Sequence, residues 1–209
     1  MSTLTCSQLL STHSHAWQMA TVHPFLQQCQ QGTISAEQFN TWLVQDYLFV
    51  NEFTRLAARL IAAAPTEHLD TLLGGMVALK DELQWFQRKA AERSLKLDTG
   101  PQPICRAYCQ LMRSLSTAPY VVQATAFWAI ELAYNQGWQN HSPMPAPYTE
   151  FADRWGNPGF TDYVKMLEQQ ADSALAQATE TEQLEAQNVF LDVAKLEKDF
   201  WQMAFAATL

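Results

Sequence analysis

The chain has 209 residues, of which 48% are hydrophobic and 16% are charged, a balance typical of a folded protein rather than a disordered one. The formal net charge of −8 argues against a surface that binds nucleic acid or anionic membranes. No run of about 18 apolar residues is present, no secretion signal opens the chain, and the four cysteines show no metal-binding spacing. We therefore expect a reduced, cytoplasmic protein that forms one domain over residues 1–209.

Helical periodicity dominates the chain, and no alternating segment competes with it. Prolines, glycines and capping residues divide the sequence into segments. The predicted helices cover residues 4–20, 23–32, 35–64, 66–94, 104–115, 120–140, a short piece around 155, 160–178 and 181–207. This pattern predicts an all-α fold of seven or more helices, too unequal in length for a simple four-helix bundle.

Three of these helices place an acid within an aromatic or apolar stripe. The acids are Asp46, Glu131 and Glu197. Burying an unpaired carboxylate costs several kcal/mol or raises its pKa, so each acid is either a satisfied core residue or faces a polar cavity. Because the pattern occurs on three separate helices, we interpret these acids as converging on one shared cavity, which Glu82 is a candidate to join.

Such a cavity has a definite chemistry. Neighbouring carboxyl groups cannot all ionise cheaply, so at least one pKa should rise, as general acid–base catalysis near neutral pH requires. Aromatic walls suit a flat heteroaromatic ligand, and an amino-substituted ring nitrogen matches a carboxylate edge.

Metal and thiol chemistry have weaker support. The five histidines provide no Glu-x-x-His pair of the di-iron type, so we predict no metal and no other cofactor. Cys105 and Cys109 lie four residues apart on one helical face near Tyr108. We interpret both as small core residues, with a thiol at the cavity as the alternative.

Three motifs carry a resemblance to a known family. They are Gln45-Asp46-Tyr47, Trp128-Ala-Ile-Glu131-x-x-Tyr134 and Glu197-x-x-Phe200-Trp201-x-Met203-Ala204. Together they resemble the TenA/thiaminase II family, over about residues 9–206. The resemblance implies a haem-oxygenase-like helical bundle, a role in thiamin salvage and a homotetramer or homodimer. The apolar helix 120–140 is a candidate for part of the subunit interface.

The resemblance also implies roles for individual residues. It implies that Asp46 grips the edge of a small pyrimidine substrate and that Glu197 handles protons. It further implies that Tyr108, Tyr134 and Phe49 contact the ring, with Phe49 standing where the family often has a tyrosine.

The sequence departs from the classical family at its nucleophile. Counting back from Gly137 places Ala129 where classical members carry a cysteine. The chain is therefore similar to the TenA-E branch, which lacks that cysteine and has a Glu on this helix, matched here by Glu131. The expected function is hydrolysis of aminopyrimidine, or its N-formyl form, to hydroxymethylpyrimidine. Either Glu131 or Glu197 activates a water molecule, the other protonates the leaving amine, and Asp46 holds the ring.

Three alternatives remain open at this stage. A classical thiaminase II would need Cys105 or Cys109 to replace the missing thiol. A non-catalytic protein would bind the pyrimidine without turnover. An oxygenase on the same fold is disfavoured, because the inner helices lack a suitable histidine.

Overall fold

The computed structural model of the chain describes residues 4–207, in which all the regular secondary structure is helical. Ten α-helices lie in this range: α1 (Cys6–Thr12), α2 (Ser14–Thr21), α3 (Pro24–Gln31), α4 (Ala36–Ala63), α5 (Leu69–Glu92), α6 (Pro103–Ser114), α7 (Tyr120–Asn140), α8 (Thr149–Trp155), α9 (Pro158–Leu175) and α10 (Glu180–Phe205). One-turn 3₁₀ helices, Thr66–His68 and Leu115–Thr117, follow α4 and α6. The predicted all-α class with seven or more helices is confirmed.

Side-chain caps mark the starts of five of the ten α-helices, α1, α3, α4, α9 and α10. The Ser35 hydroxyl accepts a hydrogen bond from the backbone N–H of Gln38, and the side-chain oxygen of Gln38 accepts one from the backbone N–H of Ser35. This pair satisfies two of the otherwise unpaired donors at the start of α4. Thr179 and Glu182 form the same arrangement at α10. Gly32 ends α3 in the left-handed conformation, with φ of 69°, which glycine adopts without strain.

The first predicted helix, 4–20, is wrong in one respect. The chain breaks at His13, whose φ of −110° and ψ of 29° are not helical, and α2 starts anew at Ser14. No proline or glycine marks this break, so periodicity alone carried the prediction through it.

Helix α7 is the central element of the fold. All residues from Val121 to Asn135 are buried, and α7 packs against α2, α4, α8, α9 and α10. The proposal that its apolar surface forms part of a subunit interface is therefore wrong, because one chain already covers it. Within residues 4–207, no helix combines the length and hydropathy needed to cross a membrane.

Candidate active site

A cavity of about 510 Å³ opens beside α7, and its volume lies in the range typical of small-molecule sites. Helices α4, α5, α7, α8 and α9 contribute its walls. Most of the lining is aromatic or apolar: Phe49, Val50, Phe53, Gly74, Gly75, Ala78, Leu79, Ile130, Tyr134, Trp155, Gly159, Phe160 and Tyr163. The charged groups at its surface are Glu82, Glu131 and Arg154.

Glu131 projects from α7 into this cavity. The residue is only 9% exposed, yet its carboxyl group makes no hydrogen bond or ion pair with any residue in the described range. Burial raises the pKa of Glu131 well above its ordinary value, and the nearby charge of Glu82 adds to the shift. Both effects favour the protonated form of Glu131 relative to a solvent-exposed glutamate.

Glu82, in contrast, has partners. The Trp155 indole Nε1–H donates to Glu82 Oε2 at 3.3 Å, and Arg154 Nε lies 3.6 Å from the same oxygen. Burial raises the pKa of Glu82 to about 7, a shift that the Arg154 charge opposes. The Arg154 guanidinium also lies over the Trp85 ring, 4.6 Å from its centroid, so its position is fixed from two sides.

Asp46 lies behind the cavity wall rather than in it. Its side chain is fully buried on α4, and the hydroxyl of Tyr134 donates a hydrogen bond to Asp46 Oδ1. The other oxygen, Oδ2, has no hydrogen-bond partner in the described part of the chain. Burial raises the pKa of Asp46, the Tyr134 hydrogen bond opposes that rise, and the charges of Glu82 and Glu197 add to it.

Glu197 forms a second buried tyrosine–carboxyl pair. The Tyr108 hydroxyl donates to Glu197 Oε1 at 2.5 Å, and Glu197 is 1% exposed on α10. Burial raises the pKa of Glu197 to about 8, against the opposing effect of this hydrogen bond. The ring of Phe49 contacts both pairs, with its centroid 4.7 Å from that of Tyr108 and 6.3 Å from that of Tyr134.

The structure thus divides the residues predicted from the sequence into two layers. Glu131, Tyr134 and Phe49 line the cavity, whereas Asp46, Glu197 and Tyr108 lie behind them. The expectation that all three acids share one cavity is wrong for Asp46 and Glu197. Tyr134 lines the cavity and donates its hydrogen bond to Asp46 behind it. Phe49 also lines the cavity, and its ring contacts Tyr108, the partner of Glu197. Each buried acid is therefore separated from the cavity by aromatic side chains.

Sequence reasoning missed Tyr163 and Gly75. The Tyr163 hydroxyl has no hydrogen-bond partner among the described residues and lies so close to α5 that a Cβ at Gly75 would be 2.2 Å from it. A signal was available, because Gly74 and Gly75 lie inside a predicted helix, where each costs about 1 kcal/mol relative to Ala without a packing reason.

The cysteines stay away from the cavity. All four are free and buried, and none belongs to its lining. The Cys105 thiol donates to the backbone oxygen of Gln45, with Sγ to oxygen 3.4 Å. On α7 the residues that line the cavity are Ile130, Glu131 and Tyr134, while Ala129 is fully buried elsewhere. The geometry therefore favours the interpretation of Cys105 and Cys109 as core residues.

Comparison with known proteins gives consistent matches over most of the chain. The family described as TENA/THI-4/PQQC matches residues 10–207. A soybean (Glycine max) protein named "Probable bifunctional TENA-E protein" is 36% identical over 207 residues, which cover 93% of this chain and 90% of that protein. The "Thiamine biosynthesis multifunctional protein ThiED" of Corynebacterium efficiens is 26% identical over 192 residues, 86% of this chain and 25% of that protein. The crystal structure of a TenA homologue from Pyrococcus furiosus superposes with a TM-score of 0.90 at 30% identity, covering 95% of this chain and 98% of that one.

Proposed function

The chain belongs to the TENA/THI-4/PQQC family, as its sequence motifs predicted, and from this premise we propose that it is a thiamin-salvage hydrolase acting on an aminopyrimidine. The substrate is 4-amino-5-aminomethyl-2-methylpyrimidine or its N-formyl derivative, and the product of complete hydrolysis is hydroxymethylpyrimidine. One observation carries the proposal: an aromatic cavity of about 510 Å³ that holds the carboxyl groups of Glu131 and Glu82 but no thiol.

The aromatic walls account for binding of the ring. The side chains of Phe49, Tyr134 and Trp155 provide flat apolar surface, which a pyrimidine buries with favourable stacking. Asp46 acts as a positioning residue in this proposal, because its hydrogen bond to Tyr134 holds that ring at the cavity wall. In this proposal Asp46 acts on the pyrimidine through Tyr134, in place of the direct contact that the resemblance implies.

The carboxyl groups account for the chemistry. Ionised Glu131 takes a proton from a water molecule, whose oxygen attacks the exocyclic methylene carbon. The C–N bond breaks with its electron pair on nitrogen, and the amine leaves. Glu82, with a pKa of about 7, donates a proton as the C–N bond of a neutral aminomethyl or formylamino group breaks, whereas an aminomethyl group bound as ammonium already carries that proton and leaves as ammonia. Glu197 supports the reaction through Tyr108 and Phe49 rather than by touching the substrate.

The experiment is a product assay with three substrates. Purified protein is incubated with aminopyrimidine, its N-formyl derivative or thiamin, and products are identified by mass spectrometry, with and without a thiol-blocking reagent. We expect hydroxymethylpyrimidine from aminopyrimidine at a rate that the reagent does not change. Glu131→Gln should lower that rate at least about 100-fold, in line with the usual contribution of a general base, whereas Glu185→Gln, at an exposed site on α10, should not.

Two outcomes would contradict the proposal. Thiamin cleavage that the thiol reagent abolishes would identify a classical thiaminase II. Tight binding of aminopyrimidine with no product from any substrate would identify a non-catalytic pyrimidine-binding protein.

We also propose that the protein forms a homo-oligomer. Leu73 and Val77 lie one turn apart on α5 and are 51% and 64% exposed, which leaves two neighbouring apolar side chains for a second copy to cover. Light scattering on the wild type and on the Leu73→Lys/Val77→Lys variant tests this; a monomeric wild type would refute it.

A further inference from the structure

We propose that Glu131 makes the cavity selective for a cationic ligand, so that the preferred substrate carries an aminomethyl group rather than a neutral formylaminomethyl group. The inference rests on the proposed function, which leaves open which of the two pyrimidines is the substrate. It follows from how the charges around the cavity are paired.

The cavity has more carboxyl groups than cationic groups. Its lining contains two carboxyl groups, those of Glu82 and Glu131, and one guanidinium, that of Arg154. Arg154 is committed to Glu82, since its Nε lies 3.6 Å from Glu82 Oε2 and its guanidinium lies over the ring of Trp85. Within residues 4–207 no Lys, Arg or His nitrogen lies within 4.0 Å of the Glu131 carboxyl group, so Glu131 lacks a counter-charge.

A buried carboxyl group in this position favours a cation over a neutral donor. An ammonium group forms a charge-assisted hydrogen bond to a carboxylate, which is roughly twice as strong as a neutral one. An amide N–H offers only the neutral bond. The unpartnered Tyr163 hydroxyl both donates and accepts, so it does not discriminate between the two substrates.

Binding of a cation should also change the protonation of the site. Burial and Glu82 raise the pKa of Glu131 in the free protein, and an ammonium group beside it would lower that pKa and release a proton. The titratable groups that line the cavity with it are Glu82 on α5, Tyr134 on α7, Arg154 on α8 and Tyr163 on α9, while Asp46 on α4 and Glu197 on α10 lie in the layer behind them. A neutral ligand of the same size should release no proton.

Two unreactive probes separate charge from shape. They are 4-amino-5-(2-aminoethyl)-2-methylpyrimidine and its 2-hydroxyethyl analogue, which differ in one terminal group and lack the reactive one-carbon arm. Titration calorimetry in two buffers of different ionisation enthalpy gives the affinity and the number of protons released. We expect the aminoethyl probe to bind at least about tenfold more tightly, with proton release, as a charge-assisted hydrogen bond predicts.

Variants assign the effect to Glu131. In Glu131→Gln the ratio of the two affinities should fall to about one while the hydroxyethyl probe keeps its affinity, and Glu185→Gln should behave as the wild type. In the wild type, competition between the amino and formylamino substrates should favour the amino substrate in kcat/KM at least about tenfold.

Equal affinities for the two probes in the wild type, or a preference that survives Glu131→Gln, would overturn the inference, as would a faster formylamino substrate. If both substrates resist hydrolysis but the aminoethyl preference stands, the proposed reaction fails and the cation selectivity remains. If neither probe binds, both proposals fail.

Discussion

Replacement of Gly75 by alanine tests how closely Tyr163 approaches α5 at the cavity wall. A Cβ added at Gly75 would lie 2.2 Å from the Tyr163 hydroxyl oxygen and 2.9 Å from Cζ of the same ring, whereas a Cβ at Gly74 would meet nothing within 4 Å. The two glycines are neighbours in the same helix, so each Gly→Ala change gains about the same helix propensity, about 1 kcal/mol. Any difference in stability between the two variants therefore measures the collision with Tyr163.

The size of that difference follows from the geometry. The Tyr163 hydroxyl must retreat from 2.2 Å to the ordinary contact distance of at least 3.4 Å, and overpacking of this kind costs about 1–3 kcal/mol. We expect Gly74→Ala to raise the free energy of unfolding by about 1 kcal/mol relative to the wild type. The free energy of unfolding of Gly75→Ala should lie about 1–3 kcal/mol below that of Gly74→Ala. If the ring instead turns into the cavity, the loss appears as weaker binding of the hydroxyethyl probe.

Urea denaturation of Gly74→Ala, Gly75→Ala, Tyr163→Ala and the double variant Gly75→Ala/Tyr163→Ala provides the assay. In the double variant the ring is absent, so the coupling energy of the mutant cycle should recover most of the steric cost. The reasoning is refuted if Gly75→Ala matches Gly74→Ala in both stability and probe affinity.

Three further predictions concern the buried layer and the thiols. The folded-state pKa of Glu197, about 8 against an ordinary 4.5, means that the folded protein holds this proton more tightly than the unfolded chain, so the free energy of unfolding should fall as pH rises from about 4.5 to about 8. Thermal melts across this range should show a shallower fall for Glu197→Gln, and an unchanged slope would contradict the assigned pKa. Tyr134→Phe removes the hydrogen bond to Asp46 and leaves that buried carboxyl group unpaired, which should cost about 1–3 kcal/mol in urea denaturation; a neutral change would argue against the contact. Cys105→Ala and Cys109→Ala should each keep aminopyrimidine turnover within about twofold, and a loss above about tenfold would return a thiol to the mechanism.

Local sequence chemistry was enough to predict most helix boundaries. The bounds Tyr120–Asn140 were predicted as they occur in α7, because a proline precedes the helix and a proline-rich loop follows it. The start of α9 was missed by two residues, since its cap is Asn157 and its first residue is a proline. The break at His13 had no local signal and depends on how α1 and α2 pack against other helices.

The buried acids of the candidate site could be predicted from the sequence, but which of them reaches the cavity could not. Helical periodicity identifies Asp46, Glu131 and Glu197 as acids on buried faces, and all three are buried. Periodicity gives the direction of a side chain from its own helix and nothing about which neighbour covers it. The cover that separates Asp46 from the cavity is Tyr134, 88 residues away in sequence, so only the tertiary packing decides which acid reaches the cavity.

The pairing of the acids is what distinguishes a structural carboxyl group from one that awaits a ligand. Asp46 and Glu197 each accept a hydrogen bond from a tyrosine, which offsets part of the free energy that burial costs them. Glu131, 9% exposed, faces the cavity and has no partner among the described residues, whereas the unpartnered oxygen of Asp46, Oδ2, lies inside the protein. Because a buried polar group without a partner is costly, a sequence selected for stability alone would place an apolar side chain there. The carboxyl group at position 131 therefore supports a function in which the ligand itself supplies the missing partner.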